Sequence, residues 1–256
     1  MPVDENGVLT EEAGQFAGLT TDEANKPIAE HLEKLGALFA LKKIKHQYPH
    51  CWRCHKPIIF RATSQWFCSV DDFKDAAVKA AEDVKWYPEW GKDRLQSMVV
   101  ERADWCISRQ RKWGVPIPVV YCKECGKEII DDGIMQKVSD IFGEEGSDAW
   151  FAHDAEYFLP EGFECPHCHK ANGFEKETDI MDVWFDSGSS HAAVLKNRDY
   201  LKWPADVYLE GADQYRGWFQ SSLLTSVAAG NRAPYEQIIT HGWTVDGEGR
   251  KMSKSL

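Results

Sequence analysis

Asp206-Val-Tyr-Leu-Glu210, continued by Gly211-Ala-Asp-Gln-Tyr-Arg-Gly-Trp-Phe219, is the stretch whose reading decides the fold. Its first five residues read as a strand. Phe219, Leu223 and Val227 then recur at helical spacing until Gly230, and Gln237-Ile-Ile-Thr-His241 reads as the next strand. A strand, a helix and a strand at this separation form a βαβ unit. Two strands joined by such a crossover run parallel, so a parallel sheet flanked by helices is expected. In parallel sheets ligands collect beyond the carboxyl ends of the strands. Glu210-Gly211 and His241-Gly242 fall at those ends, and Lys251 and Lys254 follow the second of them. The three features predict one cleft.

The lysines belong to Gly247-Glu-Gly-Arg-Lys-Met-Ser-Lys-Ser-Leu256. Glycines give the backbone freedom, and paired ammonium groups suit a polyphosphate. The competing reading is a solvated basic tail. Upstream, Val119-Val-Tyr-Cys122-Lys-Glu-Cys125-Gly and Glu164-Cys165-Pro-His-Cys168-His carry a stronger signal. Each is a Cys-x-x-Cys beside a turn former, and four thiolates suit Zn²⁺ in a closed, structural site. Between Cys125 and Cys165 lie 39 residues, more than the about 15–20 of a compact ribbon, so a helix around Ser139–Phe142 is expected to fill the difference. His167 and His169 compete as ligands, but two symmetric knuckles favour four cysteines. A third pair, Cys51 and Cys54, has the same spacing, with His55 as a spare donor. It is half of a second, incomplete metal site or a pair of buried thiols. Cys68 has no partner in sequence and reads as a core residue.

A chain of 256 residues buries a sizeable core in one or two domains. A net charge of −11 excludes a globally basic nucleic-acid binder, so any such surface is local. No apolar run approaches the roughly 20 residues that span a bilayer, and no secretory signal is visible. Six of the eight cysteines sit in Cys-x-x-Cys pairs, which favours metal ligation in a reducing, cytoplasmic compartment over a disulfide framework. In the first part of the chain Thr20 and Glu23 have capping-box spacing, and Ile28, Leu32 and Leu35 run helically to Gly36. Pro27 suggests that this helix begins there. Ile58-Ile-Phe60 reads as a strand, and Asp71 to about Lys85 as an amphipathic helix with Phe73, Ala77 and Ala81 on one face. Arg102-Ala-Asp-Trp-Cys-Ile-Ser-Arg-Gln-Arg-Lys-Trp113 sets four cations among two indoles and one acid. Such a stretch binds RNA, or it is structural, with the arginines meeting carboxylates.

Taken together, Tyr208–Phe219, Asp182-Val-Trp-Phe-Asp-Ser-Gly188 and Lys251-Met-Ser-Lys-Ser255 resemble the class I aminoacyl-tRNA synthetases, and within them the isoleucine-specific branch, over essentially the whole chain. The resemblance implies half of a Rossmann-like catalytic domain with a zinc-ribbon insertion. Residues 1–47 would be the end of an inserted editing domain, 48–118 the return into the catalytic domain, 119–172 the ribbon, and 173–256 the second half of the catalytic fold. The partners implied are ATP with Mg²⁺, L-isoleucine and tRNA(Ile), with no membrane. The reaction implied is formation of isoleucyl-adenylate and transfer of the aminoacyl group to tRNA.

The family pattern puts Glu210, Gly211, Asp213 and Gln214 at the adenylate, and Trp184 and Trp218 around the aliphatic side chain. It puts His241 and Gly242 against adenine, and Lys251 and Lys254 on the mobile ATP loop. Read from the residues alone, Trp218 could equally anchor its helix in the core, and Glu210 could be a solvated strand end. The family's His-x-Gly-His phosphate element does not occur in these residues, nor does an anticodon-binding region. The expectation is an internal piece of a larger enzyme, inactive by itself and working with the missing parts of that enzyme. A valyl or leucyl synthetase, or a non-enzymatic zinc-ribbon RNA-binding module, is the alternative.

Overall fold

A computed structural model describes residues 1–51, 53–171 and 173–252. They fall into two compact units, Met1–Ser64 and Gln65–Leu256.

The first unit holds one long helix, α1 (Thr21–Lys34), capped by the reciprocal Thr20–Glu23 bonds that the spacing predicts. The helix starts at Thr21, and Pro27 lies inside it. This corrects the expected start at Pro27. The capping box supplies the starting bonds six residues earlier, and the proline removes a single ladder bond, the one to the Glu23 carbonyl. Ile58-Ile-Phe60 is not a strand: all three side chains are exposed, and the pairing here is an isolated bridge between His50 and Pro57.

In the second unit the elements follow as β1 (Phe67–Cys68), α2 (Asp71–Ala80), β2 (Lys85–Tyr87), α3 (Gly91–Val100), β3 (Trp105–Cys106), β4 (Ser108–Arg109), β5 (Val120–Cys122) and β6 (Glu128–Ile129). Next come α4 (Asp132–Glu145), α5 (Ala149–Ala152), α6 (Ala155–Phe158), β7 (Phe174–Lys176), β8 (Ile180–Met181) and α7 (Val183–Gly188). The last elements are β9 (Tyr208–Gly211), α8 (Trp218–Gly230) and β10 (Gln237–His241). The fold is mixed α/β. Its central sheet is parallel, in the order β2-β10-β9, with Ile238 opposite both Trp86 and Tyr208.

Why this sheet is buried follows from its side chains. Trp86, Tyr208, Tyr235 and Ile238 meet Tyr215, Phe219, Leu223, Leu224 and Val227 in one core, closed by Ala77, Leu95 and Val99 from α2 and α3. Cys68 packs against that core, and burial pushes its thiol up. α8 reads apolar nearly all round because α7 covers one flank and α2 another.

A smaller core stands over the antiparallel sheet β6-β5-β7. There Trp150 and Phe158 are fully buried among Val120, Ile134, Val138 and Phe174. Lys176 lies over the rings of both aromatics, and its ammonium donates to the Trp150 and His153 carbonyls. No described helix is long and apolar enough to cross a membrane.

Candidate functional site

At the carboxyl edge of the parallel sheet, Glu210 and Gly211 end β9 opposite Thr240 and His241 of β10. The chain then makes a 3-10 turn, Ala212–Tyr215, before α8. This brings Trp184, Ser187, Glu210, Gln214 and Trp218 around an open hollow of about 320 Å³. Of the six residues that the family pattern assigns to the adenylate and to the aliphatic side chain, four therefore line one surface, and Ser187 joins them. Asp213 stands beside them, its Oδ2 accepting from Gln214 Nε2 at 3.2 Å.

Each lining group is held from behind. The Trp218 ring stacks on Tyr208 with centroids 3.9 Å apart, and its Nε1 donates to the Ser187 carbonyl at 3.0 Å. Gln214 Oε1 accepts the first N–H of α8, that of Trp218, at 2.9 Å. Trp184 approaches so closely that a Cβ on Gly217 would stand 2.9 Å from its ring and 2.5 Å from Gln214 Oε1. A side chain at this position would have to displace both from the hollow.

α7, which carries Trp184 and Ser187, is fixed by a buried acid. Asp182 Oδ1 accepts from Trp184 N at 3.3 Å as the helix N-cap. Its Oδ2 accepts from Trp105 Nε1 at 3.0 Å and pairs with Arg109 at 3.0 Å. This answers the two readings of the Arg/Trp stretch for three of its side chains. Trp105 is buried, Arg109 meets a carboxylate, and Arg102 donates to Gln220 Oε1 at 2.6 Å, so all three are held by contacts within the fold. Arg111, Lys112 and Trp113 point outward, Trp113 being 94 % exposed, and line a separate cavity of about 610 Å³ with Asp148 and Asp186.

His241 is exposed, its Nδ1 2.7 Å from the Gly242 carbonyl oxygen. Beyond it, residues 244–252 fold back on Asp246. The Asp246 carboxylate accepts from the Glu248 and Arg250 amides, both at 2.9 Å, and pairs with the Arg250 side chain at 2.8 Å. These bonds, the Arg250 amide foremost, hold the Asp246 carboxyl below its usual range. Lys251 Nζ sits 3.4 Å from the centroid of the Trp243 ring and is not among the residues lining the Glu210 hollow. Lys254 lies outside the described residues.

The third constellation is the four cysteines. Cys122, Cys125, Cys165 and Cys168 bring their sulfurs within 4.8 Å of one another, and together they could hold a metal ion such as zinc. The Cys122–Cys168 and Cys125–Cys165 separations are 3.6 and 3.8 Å. A tetrahedron with metal–sulfur bonds of about 2.3 Å has edges of about 3.8 Å, so the donor set fits zinc in size as well as in chemistry. Burial pushes the Cys165 thiol up, but the amides of His167 and Cys168 and the neighbouring sulfurs outweigh it and bring it down to about 6. His167 Nε2 instead faces the Glu128 carbonyl oxygen at 3.2 Å.

Both knuckles have the same turn. The first cysteine's N–H reaches the carbonyl five residues on, Lys127 or Lys170, and its carbonyl accepts from the residue four on, which has positive φ, Gly126 at 69° or His169 at 58°. Cys51-Trp-Arg-Cys-His-Lys56 repeats it, with Cys51 N–H to the Lys56 carbonyl at 2.8 Å and His55 at φ 56°. The amides of Cys54 and Arg53 pull the Cys51 thiol down. Among the described residues no further Cys, His, Asp or Glu group completes a second cluster around it.

Three residues that support this site carry no chemistry of their own and were not singled out from sequence: Tyr208 beneath Trp218, Gly217 beside Trp184, and Asp182 under α7. For Asp182 a signal exists, since an Asp directly before a short helical run is a cap pattern.

Residues 10–256 match the family "tRNA synthetases class I (I, L, M and V)". Among curated relatives, the isoleucine–tRNA ligase of Caldicellulosiruptor bescii is 64 % identical over 255 residues, covering 100 % of this chain and 28 % of the relative. That of Caldicellulosiruptor saccharolyticus is 62 % identical, and that of Carboxydothermus hydrogenoformans 60 %, with the same coverage. The chain thus spans 28 % of the length of these relatives. A solved structure described as the ternary complex of Agrobacterium radiobacter K84 agnB2 LeuRS, tRNA and LeuAMS is similar at 26 % identity and a TM-score of 0.38, over 60 % of this chain and 22 % of that one.

Proposed function

The chain belongs to the class I tRNA synthetases, and from that premise we propose that it serves in isoleucine–tRNA ligation. ATP activates L-isoleucine to the adenylate, and the aminoacyl group passes to tRNA(Ile). The observation that carries this reading is the hollow of Trp184, Ser187, Glu210, Gln214 and Trp218 at the carboxyl edge of the parallel sheet. A branched aliphatic side chain gains contact area against the two rigid indoles at little entropy cost. The Glu210 carboxylate, beside the Gln214 amide, accepts hydrogen bonds from an ammonium group or from ribose hydroxyls.

In the first step the isoleucine carboxylate attacks the α-phosphorus and pyrophosphate leaves. Lys251 and Lys254 supply positive charge to the phosphates in that transition state. Lys251 leaves its place over Trp243 to do so, and the turn at Gly249, with φ +79°, gives the loop a hinge. His241 and Gly242 face the adenine, and Mg²⁺ travels with ATP through phosphate and water ligands. Zinc at the four cysteines is structural, since four thiolates leave no coordination position for a substrate. Cys51 and Cys54 supply half of a second such site. By the same reading residues 1–47 belong to an editing domain, 48–118 return to the catalytic domain, 119–172 form the ribbon and 173–256 complete the catalytic half.

The test is titration of the chain with non-hydrolysable isoleucyl- and leucyl-adenylate analogues, followed by tryptophan fluorescence. Saturable quenching by the isoleucyl analogue is expected, with affinity falling at least about tenfold in Trp218→Ala and in Glu210→Gln, the loss for one anchoring contact. Equal binding of the leucyl analogue, or binding indifferent to both substitutions, refutes the assignment.

A further inference from the structure

On the flank of α8 away from the Glu210 hollow, Met98 and Glu101 at the end of α3, Arg102, Arg216 and Gln220 line a second hollow of about 250 Å³. It holds two guanidinium groups and one carboxylate. Neither arginine has an ion pair among the described residues, with Glu101 or any other acid. For Arg216, exposed on the turn before α8, that is ordinary. For Arg102 it is not.

Arg102 is half-buried, and burial lowers its pKa. Its guanidinium lies 5.0 Å over the Trp105 ring and donates from one nitrogen to the neutral Gln220 amide, itself 3 % exposed. Its Nε–H is buried with no partner. The acid whose field acts most on it, Asp182, has both oxygens engaged by Trp184, Trp105 and Arg109. A desolvated guanidinium ordinarily keeps an oxyanion in its fork. Here the fork is held in place by an indole face and an amide, and no anion among the described residues occupies it.

We propose that Arg102, Arg216 and Gln220 form an oxyanion site that takes one phosphate group, separate from the adenylate hollow. The volume suits a single phosphate or phosphodiester and falls below the about 300 Å³ at which pockets for larger ligands begin. Planar guanidinium groups match phosphate oxygens better than ammonium groups do, which explains two arginines here rather than lysines. The net positive balance of two guanidinium groups over Glu101 favours the anion, and Glu101 sets how tightly. Phosphate could arrive free, as inorganic phosphate or pyrophosphate, or as one linkage of an RNA backbone. The proposal does not rest on the adenylate assignment.

The experiment follows the arginine Nε–H resonances of the ¹⁵N-labelled chain during titration with inorganic phosphate, with a short RNA hairpin as a second arm. The expected result is a saturable shift of the Arg102 Nε–H. It should be weakened about tenfold in Arg216→Gln, the loss for one charge-assisted bond, and tightened in Glu101→Gln. Both substituted side chains are exposed, so these variants keep the fold. In the RNA arm, a fall of about one in the slope of log affinity against log salt in Arg216→Gln assigns the site to a backbone phosphate. An unchanged slope with phosphate binding intact assigns it to the free anion. Trp218→Ala should leave the phosphate shift unaltered, which separates this outcome from failure of the adenylate reading. An Arg102 Nε–H unmoved by phosphate, or moved equally in Arg216→Gln and Glu101→Gln, overturns the proposal.

Discussion

Asp182→Ala should be the most costly single substitution around α7, and its cost can be worked from the contacts. The carboxylate is 4 % exposed and serves three donors. Losing the N-cap bond to Trp184 costs about 0.5–2 kcal/mol. Trp105 Nε1–H, on a side chain 6 % exposed, is left without an acceptor, which costs about 1–3 kcal/mol. The Arg109 pair adds little, because the Arg109 side chain is 41 % exposed and solvent screens it. The total is about 1.5–5 kcal/mol.

Asp182→Asn separates the terms. An amide oxygen still accepts one hydrogen bond, so about half of the loss should return, while the charge toward Arg109 is gone. Urea unfolding followed by tryptophan emission reads both variants as shifts in midpoint at constant slope. Because α7 carries Trp184 and Ser187, affinity for the isoleucyl-adenylate analogue should fall with stability, although Asp182 does not line the hollow. A loss below about 1 kcal/mol in Asp182→Ala, within the range of ordinary surface changes, would refute the view that this carboxylate organises α7.

Three further outcomes follow from the same packing. Cys165→Ser, or a chelator acting on a metal held by the four cysteines, should expose the amides of β5, β6 and β7 to hydrogen exchange while β9 and β10 stay protected, since the two cores are separate. His191 is 2 % exposed, receives the Trp203 Nε1–H at 3.3 Å, and is pushed down to about 4 by burial and by Lys196. A pKa lowered on folding means that the neutral form stabilises the fold. That contribution is complete above about pH 6.5 and is lost as pH falls toward 4, by on the order of 2–3 kcal/mol. His191→Gln should flatten the dependence, measured as urea midpoint against pH. Gly188→Ala would set a Cβ 2.9 Å from the Ser221 carbonyl and cost about 1–3 kcal/mol in thermal unfolding, whereas Gly230→Ala, which meets nothing within 4 Å, should not destabilise.

Strand β10 and helix α8 were legible from sequence because their periodicity carries the signal locally: five residues of one strand, then Phe219, Leu223 and Val227 on one helix face. The third strand of the same sheet was not. Lys85-Trp-Tyr87 has a single inward residue, Trp86, and gains its identity only by pairing with Gln237–Ile239 some 150 residues later. The opposite error occurred at Ile58-Ile-Phe60. An apolar run states a preference for burial and cannot name the surface that would provide it.

The arginines divide in the same way. Spacing offered Arg102, Arg109, Arg111 and Lys112 as one basic group, yet Asp182 and Gln220, more than 70 positions away along the chain, draw two of them inward.

The three knuckles separate local from non-local information most sharply. Cys51–Lys56, Cys122–Lys127 and Cys165–Lys170 share a six-residue pattern, Cys-x-x-Cys, then Gly or His, then Lys, and they share its turn down to the positive φ at the fifth residue. Six residues therefore suffice to set the turn, aim two sulfurs the same way and lay amides against them. Whether the turn becomes a metal site depends on what stands opposite. β5 and β7 lie side by side in one sheet, so the second and third knuckles, which follow β5 and precede β7, face each other at tetrahedral spacing. The first has no such partner among the described residues. A hexapeptide can encode half of a coordination sphere, but the other half is a property of sheet topology. Reversing the two is a usable test of any metal assignment made from sequence: the Cys51 knuckle, moved in place of the Cys122 knuckle, should bind as well as the original, because nothing local distinguishes them.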